Sequence, residues 1–262
     1  MRYVITEYDE QERARLSALA DQTDPYTFYQ LDRIGLSPDW QCLEVGAGIG
    51  TVSLWLAERL EGHGHVLCTD LQTTFIDEID HPRITTERLD ITEPPAHTER
   101  FDLVVVRSVY HHVPDRELVL RHLGVMLRPG GHLLMIEPDV HPIFSDPHPV
   151  WRRAWQAYFQ WAGRKGIDPY TGQRAPNQLS DFGLRVISVE GETRLFNGAA
   201  GDNPARDLYR QTLHIILPEL VAKGFLPQAD SDEIDALLDR PGAWLMSPCF
   251  IATHAVKPEG GD

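Results

Sequence analysis

The run Cys42-Leu43-Glu44-Val45-Gly46-Ala47-Gly48-Ile49-Gly50-Thr51 decides how this chain folds. Its first half reads as a short buried strand, with Trp40 just ahead and Leu43 and Val45 apolar. A glycine turn follows. Val52 to Leu60 then shows helical spacing, with Val52, Leu56 and Leu60 on one face. Glycine at every second position lets the backbone turn sharply and lie against a ligand. The new helix points free N–H groups and the positive end of its dipole at the same spot. A dinucleotide turn asks for G-x-G-x-x-G. Counted from Gly46, its third glycine falls at position 51, which is Thr.

Outward from this turn, strand and helix patterns alternate. Val66 to Asp70 is a second short strand ending in an acid, and Arg83 to Ile91 holds a third. Asp70 lies 20 residues after Gly50, where nucleotide-binding α/β folds place an acid that accepts from both ribose hydroxyls. Phe101 to Arg107 is nearly all apolar, as a strand covered on both faces is. Glu117 to Leu127 is an amphipathic helix stopped by Arg128-Pro129-Gly130-Gly131, and His132 to Glu137 is a fifth strand. Such alternation predicts a parallel sheet with right-handed crossovers.

Ahead of the first strand, residues 7 to 34 read as two helices, the second opened by Asp24 as cap and Pro25 in its first turn. Tyr3, Tyr26 and Tyr29 are placed in core or surface rather than on ligand. After Glu137 the pattern changes. Pro138 to Phe144 reads as a loop at the ligand-binding edge of the sheet, and Trp151, Trp155, Tyr158, Phe159 and Trp161 crowd the next helix. That stripe suits core packing, and it also suits a wall for a flat or apolar molecule. Gly166 to Gly172 reads as a loop and Leu179 to Gly183 as a helix end. Leu184 to Gly191 alternates like a strand, Arg206 to Lys223 is a helix, Ser231 caps Asp232 to Leu238, and Cys249 to Val256 is the last strand.

Taken together, an acid followed by G-x-G-x-G, then F-D-L-V-V-V-R, H-H-V-P-D and L-R-P-G-G-H-L-L resemble the motifs of class I S-adenosylmethionine (SAM) methyltransferases. The likeness is nearest to bacterial small-molecule, natural-product methyltransferases and covers about residues 7 to 256. It implies an α/β, Rossmann-like sheet of seven strands, mostly parallel with an antiparallel last strand, and helical N-terminal and cap segments. It implies one domain over 1–262: a helical lid (1–36), a SAM-binding core (37–139), a helical cap (140–182), and the remaining sheet and helices (183–256). SAM as cofactor is implied at Glu44, Gly46, Ala47, Gly48, Gly50, Asp70, Leu71, Asp90, Ile91 and Arg107. In that family Glu44 sits near the methionine amino group, and Asp90-Ile91 beside the adenine.

Methyl transfer from a sulfonium is an in-line displacement that needs alignment and dryness first. A base is needed where the acceptor holds its proton at neutral pH. His111 and His112 are the candidates, just after the fourth strand. Asp139, His141, Trp155 and Tyr158 are candidates for touching the acceptor. No metal is expected, because His63, His65, His111 and His112 lack ligand spacing with partner acids. Two other readings stand beside this one: a nicotinamide-dependent oxidoreductase, disfavoured by Thr51 and by Leu127 to Gly131, and a non-enzymatic SAM-binding module.

Composition narrows the partners. The chain has 262 residues and a net charge of −15, which repels phosphate backbones and disfavours nucleic acid. No apolar run approaches the ~20 residues that span a bilayer, and Met1-Arg2-Tyr3 followed by acids does not read as a signal peptide. Cys42, Cys68 and Cys249 read as reduced thiols. The expectation is a cytoplasmic enzyme acting on a small molecule, with a homodimer allowed.

Overall fold

A strand that is apolar along its whole length needs cover on both faces, and the central strands of this protein receive it. The computed structural model describes residues 10–197 and 203–259; Tyr3 lies outside them. The strands are β1 (Gln41–Val45), β2 (His65–Asp70), β3 (Ile84–Arg88), β4 (Phe101–Arg107), β5 (Leu127–Asp139), β6 (Arg185–Glu192), β7 (Leu195–Asn197), β8 (Trp244–Met246) and β9 (Cys249–Val256). The helices are α1 (Glu10–Ile34), α2 (Thr51–Ala57), α3 (Arg116–Met126), α4 (His141–Phe144), α5 (Pro149–Gly163), α6 (Thr171–Asp181), α7 (Pro204–Ala222) and α8 (Gln228–Leu238). Seven strands form one sheet in the order β3-β2-β1-β4-β5-β9-β6, and β7 pairs with β8 separately. Neighbours from β3 to β5 are parallel, and β9 runs antiparallel to both β5 and β6. The seven-stranded, mostly parallel expectation is met.

Side chains on a strand alternate between faces, and the packing follows that period. Cys42, Leu103, Val105, Leu134 and Ile136 face a core built with α1 and α2. Leu43, Val104, Val106, Leu133 and Met135 face the other way, against α3 and α6. A third core stands apart from both. It joins Trp151, Trp155 and Trp161 of α5 to Leu213, Ile216 and Leu220 of α7 and to Ile234 and Leu237 of α8. Burying side chains of this size is worth about 1.5–3 kcal/mol each, so the upper helices form a firm cap.

Three local expectations change. The N-terminal segment is one helix, not two, and Pro25 lies inside it. Asp24 does not cap a helix. Its Oδ1 accepts from Arg107 Nη1 at 2.5 Å and from Thr51 Oγ1 at 3.2 Å, so a long-range ion pair outranks the local signal. The second change concerns the cap, which is discontinuous. Thr171–Asp181 packs Ala175 and Leu179 under the sheet, while α7, α8, β7 and β8 join α4 and α5 above. A Cβ on Gly172 would lie 2.6 Å from the Glu137 carbonyl, a closeness that holds α6 against β5. Last, α8 begins at Gln228, ahead of the Ser231 cap.

Candidate functional site

The glycine turn works as its composition predicts. Gly46, Gly48 and Gly50 have φ of +73°, +61° and +77°, values that favour glycine. A Cβ on Gly46 would sit 2.2 Å from Val109 Cγ2. The turn is tied to the next strand by Gly46 N–H and Ala47 N–H, both donating to the Thr69 carbonyl. From Gly48 a third N–H donates to Asp70 Oδ2 at 2.9 Å, and Gln72 N–H donates to Oδ1 at 3.0 Å. Burial raises the Asp70 pKa against these hydrogen bonds.

A cleft opens at this turn, at the C-terminal edge of the parallel strands, with about 730 Å³ of empty space counting its mouth. Gly46, Gly48, Asp70, Leu71, Asp90, Ile91 and Arg107 line it together. Glu44, Ala47 and Gly50 do not. Glu44 is buried behind the turn, where its Oε2 accepts from Ser53 N–H at 2.8 Å and Ser53 Oγ at 2.6 Å. Desolvation pushes its pKa to about 7. The carboxylate therefore anchors the first turn of α2. Leu16 and Leu19 of α1 complete the cleft, with Glu12. Sequence patterns could not name them, because only the path of α1 brings them there.

A second cavity, with about 900 Å³ of empty space, adjoins the first. Leu19, Ser108 and His112 line both. Its walls are mostly apolar: Trp155, Tyr158 and Phe159 from α5, Leu208, Tyr209 and Ile216 from α7, and Pro248 and Phe250 beside β9. Trp155 stacks on Phe159 at 5.6 Å and meets Tyr209 edge-on. The aromatic stripe thus divides: Trp151 and Trp161 are core, while Trp155 and Tyr158 line the cavity. Asp139 and His141 do not line it. Asp139 Oδ1 accepts from His141 N–H and faces His141 Nδ1 at 2.8 Å, so this carboxylate closes the tight turn into α4, and the His141 side chain is largely exposed.

Both histidines line the second cavity. His111 is positioned by a group that the sequence reading treated only as a strand end. Glu137 is fully buried. Its carboxylate accepts from Val109 N–H (3.0 Å), Tyr110 N–H (2.8 Å) and His111 N–H (3.1 Å), and His111 Nδ1 lies 2.7 Å from Oε2. An acceptor-only carboxylate requires the proton on Nδ1, which leaves the Nε2 lone pair as the basic site. The His112 ring lies 3.8 Å from the His111 ring between centroids, tilted by 39°. Burial lowers its pKa well below the ordinary value, helped by the charges of His111, Arg15 and Arg116, so it is neutral. Ser108, between strand and loop, takes a φ of +55°, a left-handed strain of the kind that clusters at functional sites. The signal that could have found Glu137 is an acid closing an apolar strand, the same signal that marked Asp70.

A family model described as a methyltransferase domain matches residues 43–133, from β1 into β5. The methyltransferase str2 of Strobilurus tenacellus is 27% identical over 69% of this chain and 68% of its own length. The fold matches a putative methyltransferase from Bacillus halodurans with a TM-score of 0.60, 17% identity, and coverage of 88% of this chain and 98% of that one. The chain carries a methyltransferase domain over residues 43–133, in a fold shared with solved SAM-dependent methyltransferases. A second curated relative of the methyltransferase is a lovastatin nonaketide synthase of Aspergillus terreus, 31% identical over 71% of this chain. The chain spans only 7% of that much longer protein. Among solved structures, a Haemonchus contortus N-methyltransferase in complex with phosphomonomethylethanolamine and S-adenosylhomocysteine has a TM-score of 0.55 at 18% identity, over 87% of this chain and 51% of that one. SAM is the methyl donor, and it brings a methyl group already activated on a sulfonium.

No helix among the described residues is long and apolar enough to cross a membrane, and no group of metal-ligating side chains is present among them.

Proposed function

We propose that this methyltransferase alkylates a small, largely apolar acceptor seated in the aromatic cavity, with His111 as the base. The observation that carries this reading is the junction of the two cavities at Ser108 and His112, beside an imidazole oriented by Glu137. In this reading Asp70 receives the ribose hydroxyls and Asp90 and Ile91 border the adenine. Gly46 and Gly48 pass under the methionine part, and Arg107 with its partner Asp24 holds α1 over the cleft. Glu44, Ala47 and Gly50 act from behind by shaping the turn. Trp155 and Tyr158 offer flat faces to the acceptor. The acceptor proton moves to His111 Nε2 while Glu137 stabilises the imidazolium.

An amine that is already unprotonated needs no such base, so the dyad favours an oxygen acid or a carbon acid next to a carbonyl. Similarity to polyketide synthases supports an acceptor of natural-product type. We further propose that residues 1–262 work as one domain, with α1 as lid, in the cytoplasm, where the three thiols stay reduced. The net charge of −15 supports an acceptor other than nucleic acid. Exposed Ile187 and Val189 on the edge strand β6 support a homodimer, which light scattering tests.

The test uses the acceptor found by mass spectrometry, as a gain of one methylene in extracts given SAM. His111→Gln lowers kcat by about 10²–10⁴-fold with S-adenosylhomocysteine affinity unchanged. It also removes the acidic limb of the pH–rate profile. A His111→Gln enzyme with wild-type kcat and pH profile refutes the assignment.

A further inference from the structure

Among the described residues that line the acceptor cavity, the one with a fixed charge is a cation, Arg15. Arg15 of α1 lines it together with His111 and His112, and no carboxylate stands among the described residues that do so. The chain as a whole has 39 acidic residues against 24 Lys and Arg, so this local balance runs against the composition. Arg15 is only 6% exposed. Its guanidinium meets Glu12 as a fork, Nε to Oε2 and Nη2 to Oε1, both at 2.7 Å. Glu12 is 1% exposed and lines the other cavity, the cofactor cleft. One turn of α1 therefore carries an ion pair across the wall between the two chambers, with its anion on the donor side and its cation on the acceptor side.

That polarity matters because of what each chamber takes, and here the inference rests on the reading above. The donor side receives a cationic sulfonium, which suits Glu12. The acceptor side keeps a buried guanidinium, and a buried charge acts more strongly than one in bulk solvent. Arginine matches the geometry of oxyanions and repels ammonium groups.

We propose that Arg15 sets the acceptor class: molecules that carry an anionic oxygen, or form one as the proton leaves. Phenols, enols and carboxylic acids qualify; protonated amines do not. The acceptor's O–H proton, or the C–H proton beside its carbonyl, goes to His111 Nε2. Negative charge gathers on the oxygen facing Arg15. The electron pair of the acceptor forms the new bond to the methyl carbon, and the pair of the broken C–S bond stays on sulfur. Preorganised charge aimed at a developing oxyanion is among the larger contributions an active site makes.

Two ligands of one shape and opposite charge test this: 2-naphthoate and 2-naphthylmethylammonium, titrated calorimetrically into protein saturated with S-adenosylhomocysteine. Wild-type protein binds the naphthoate at least about tenfold more tightly, the size of one charge-assisted hydrogen bond. Arg15→Lys keeps most of that preference, and Arg15→Met reduces it to about twofold or less. Because Arg15→Met strands a buried carboxylate, E12Q/R15M is made alongside it, and thermal melting selects the folded variants. The proposal is overturned if the ammonium binds as well as the naphthoate, if the naphthoate does not bind, or if the preference survives in a folded variant with Met at position 15. If neither variant folds, the wild-type comparison decides. Binding of S-adenosylhomocysteine is titrated first: its failure counts against the cofactor reading, whereas a lost charge preference with that binding intact counts against Arg15 alone.

Discussion

Replacing Asp70 by Ala separates cofactor affinity from fold. The carboxylate lines the cofactor cleft and holds two backbone N–H groups, from Gly48 at 2.9 Å and Gln72 at 3.0 Å. On the ligand side the loss is that of hydrogen bonds from ribose hydroxyls to a charged acceptor, about 1.5–3 kcal/mol. That corresponds to an affinity lower by about tenfold to a hundredfold. On the protein side two effects oppose each other. The Gly48 and Gln72 N–H groups lose their partner, at about 1 kcal/mol each. Removing a carboxylate whose pKa burial raises returns part of that desolvation cost. The variant is therefore expected to fold, with a melting temperature only slightly lower. Asp70→Asn retains one acceptor oxygen and falls between Ala and wild type. Calorimetric titration with S-adenosylhomocysteine, next to a melting curve, measures both sides. A folded Asp70→Ala protein that binds within about twofold of wild type refutes the ribose assignment and, with it, the direction in which the cleft is read.

Gly46→Ala places a Cβ 2.2 Å from Val109 Cγ2 at a φ of +73°, and overpacking plus strain costs about 1–3 kcal/mol; a melting temperature equal to wild type would show that the turn relaxes freely. Glu44 titrates at about 7 because of burial, above the ordinary 4.5, so the folded state holds a proton that the unfolded state releases. Stability accordingly falls as pH rises from about 4.5 to about 7. Glu44→Gln keeps an acceptor for Ser53 and flattens that slope, which denaturant titrations at several pH values will detect.

The Rossmann-like sheet was legible because its signals are local and periodic. A fully apolar Phe101 to Val106 demands cover on two faces, and glycine at 46, 48 and 50 meets positive φ at each position. The antiparallel last strand followed from resemblance to a known family rather than from any single residue, whereas the order of strands came only from the tertiary structure. Asp70, Leu71, Asp90 and Ile91 were reachable for a related reason: in a parallel sheet, residues after strand C-termini share one edge whatever the loops do. His111 and His112 were placed in the same way.

What lay beyond the sequence depends on contacts between segments far apart in the chain. Asp24 and Pro25 carry a sound local signal for a helix start, yet Asp24 pairs with Arg107, 83 residues away, and α1 runs on unbroken. Asp139 and His141 sit at the ligand-binding edge in sequence terms, but a turn only two residues long consumes the carboxylate. Glu137 became a partner of His111 through a parallel pairing that brings the end of β5 beside the loop after β4. Glu12 and Arg15 became a bridge between two cavities only because α1 docks on α7 and across the mouth of the cleft. Propensity and periodicity determine which segments are strands and helices and which end of the sheet is reactive. They do not determine which side chains meet across it, because those meetings depend on packing among α1, α5 and α7 that no local pattern encodes.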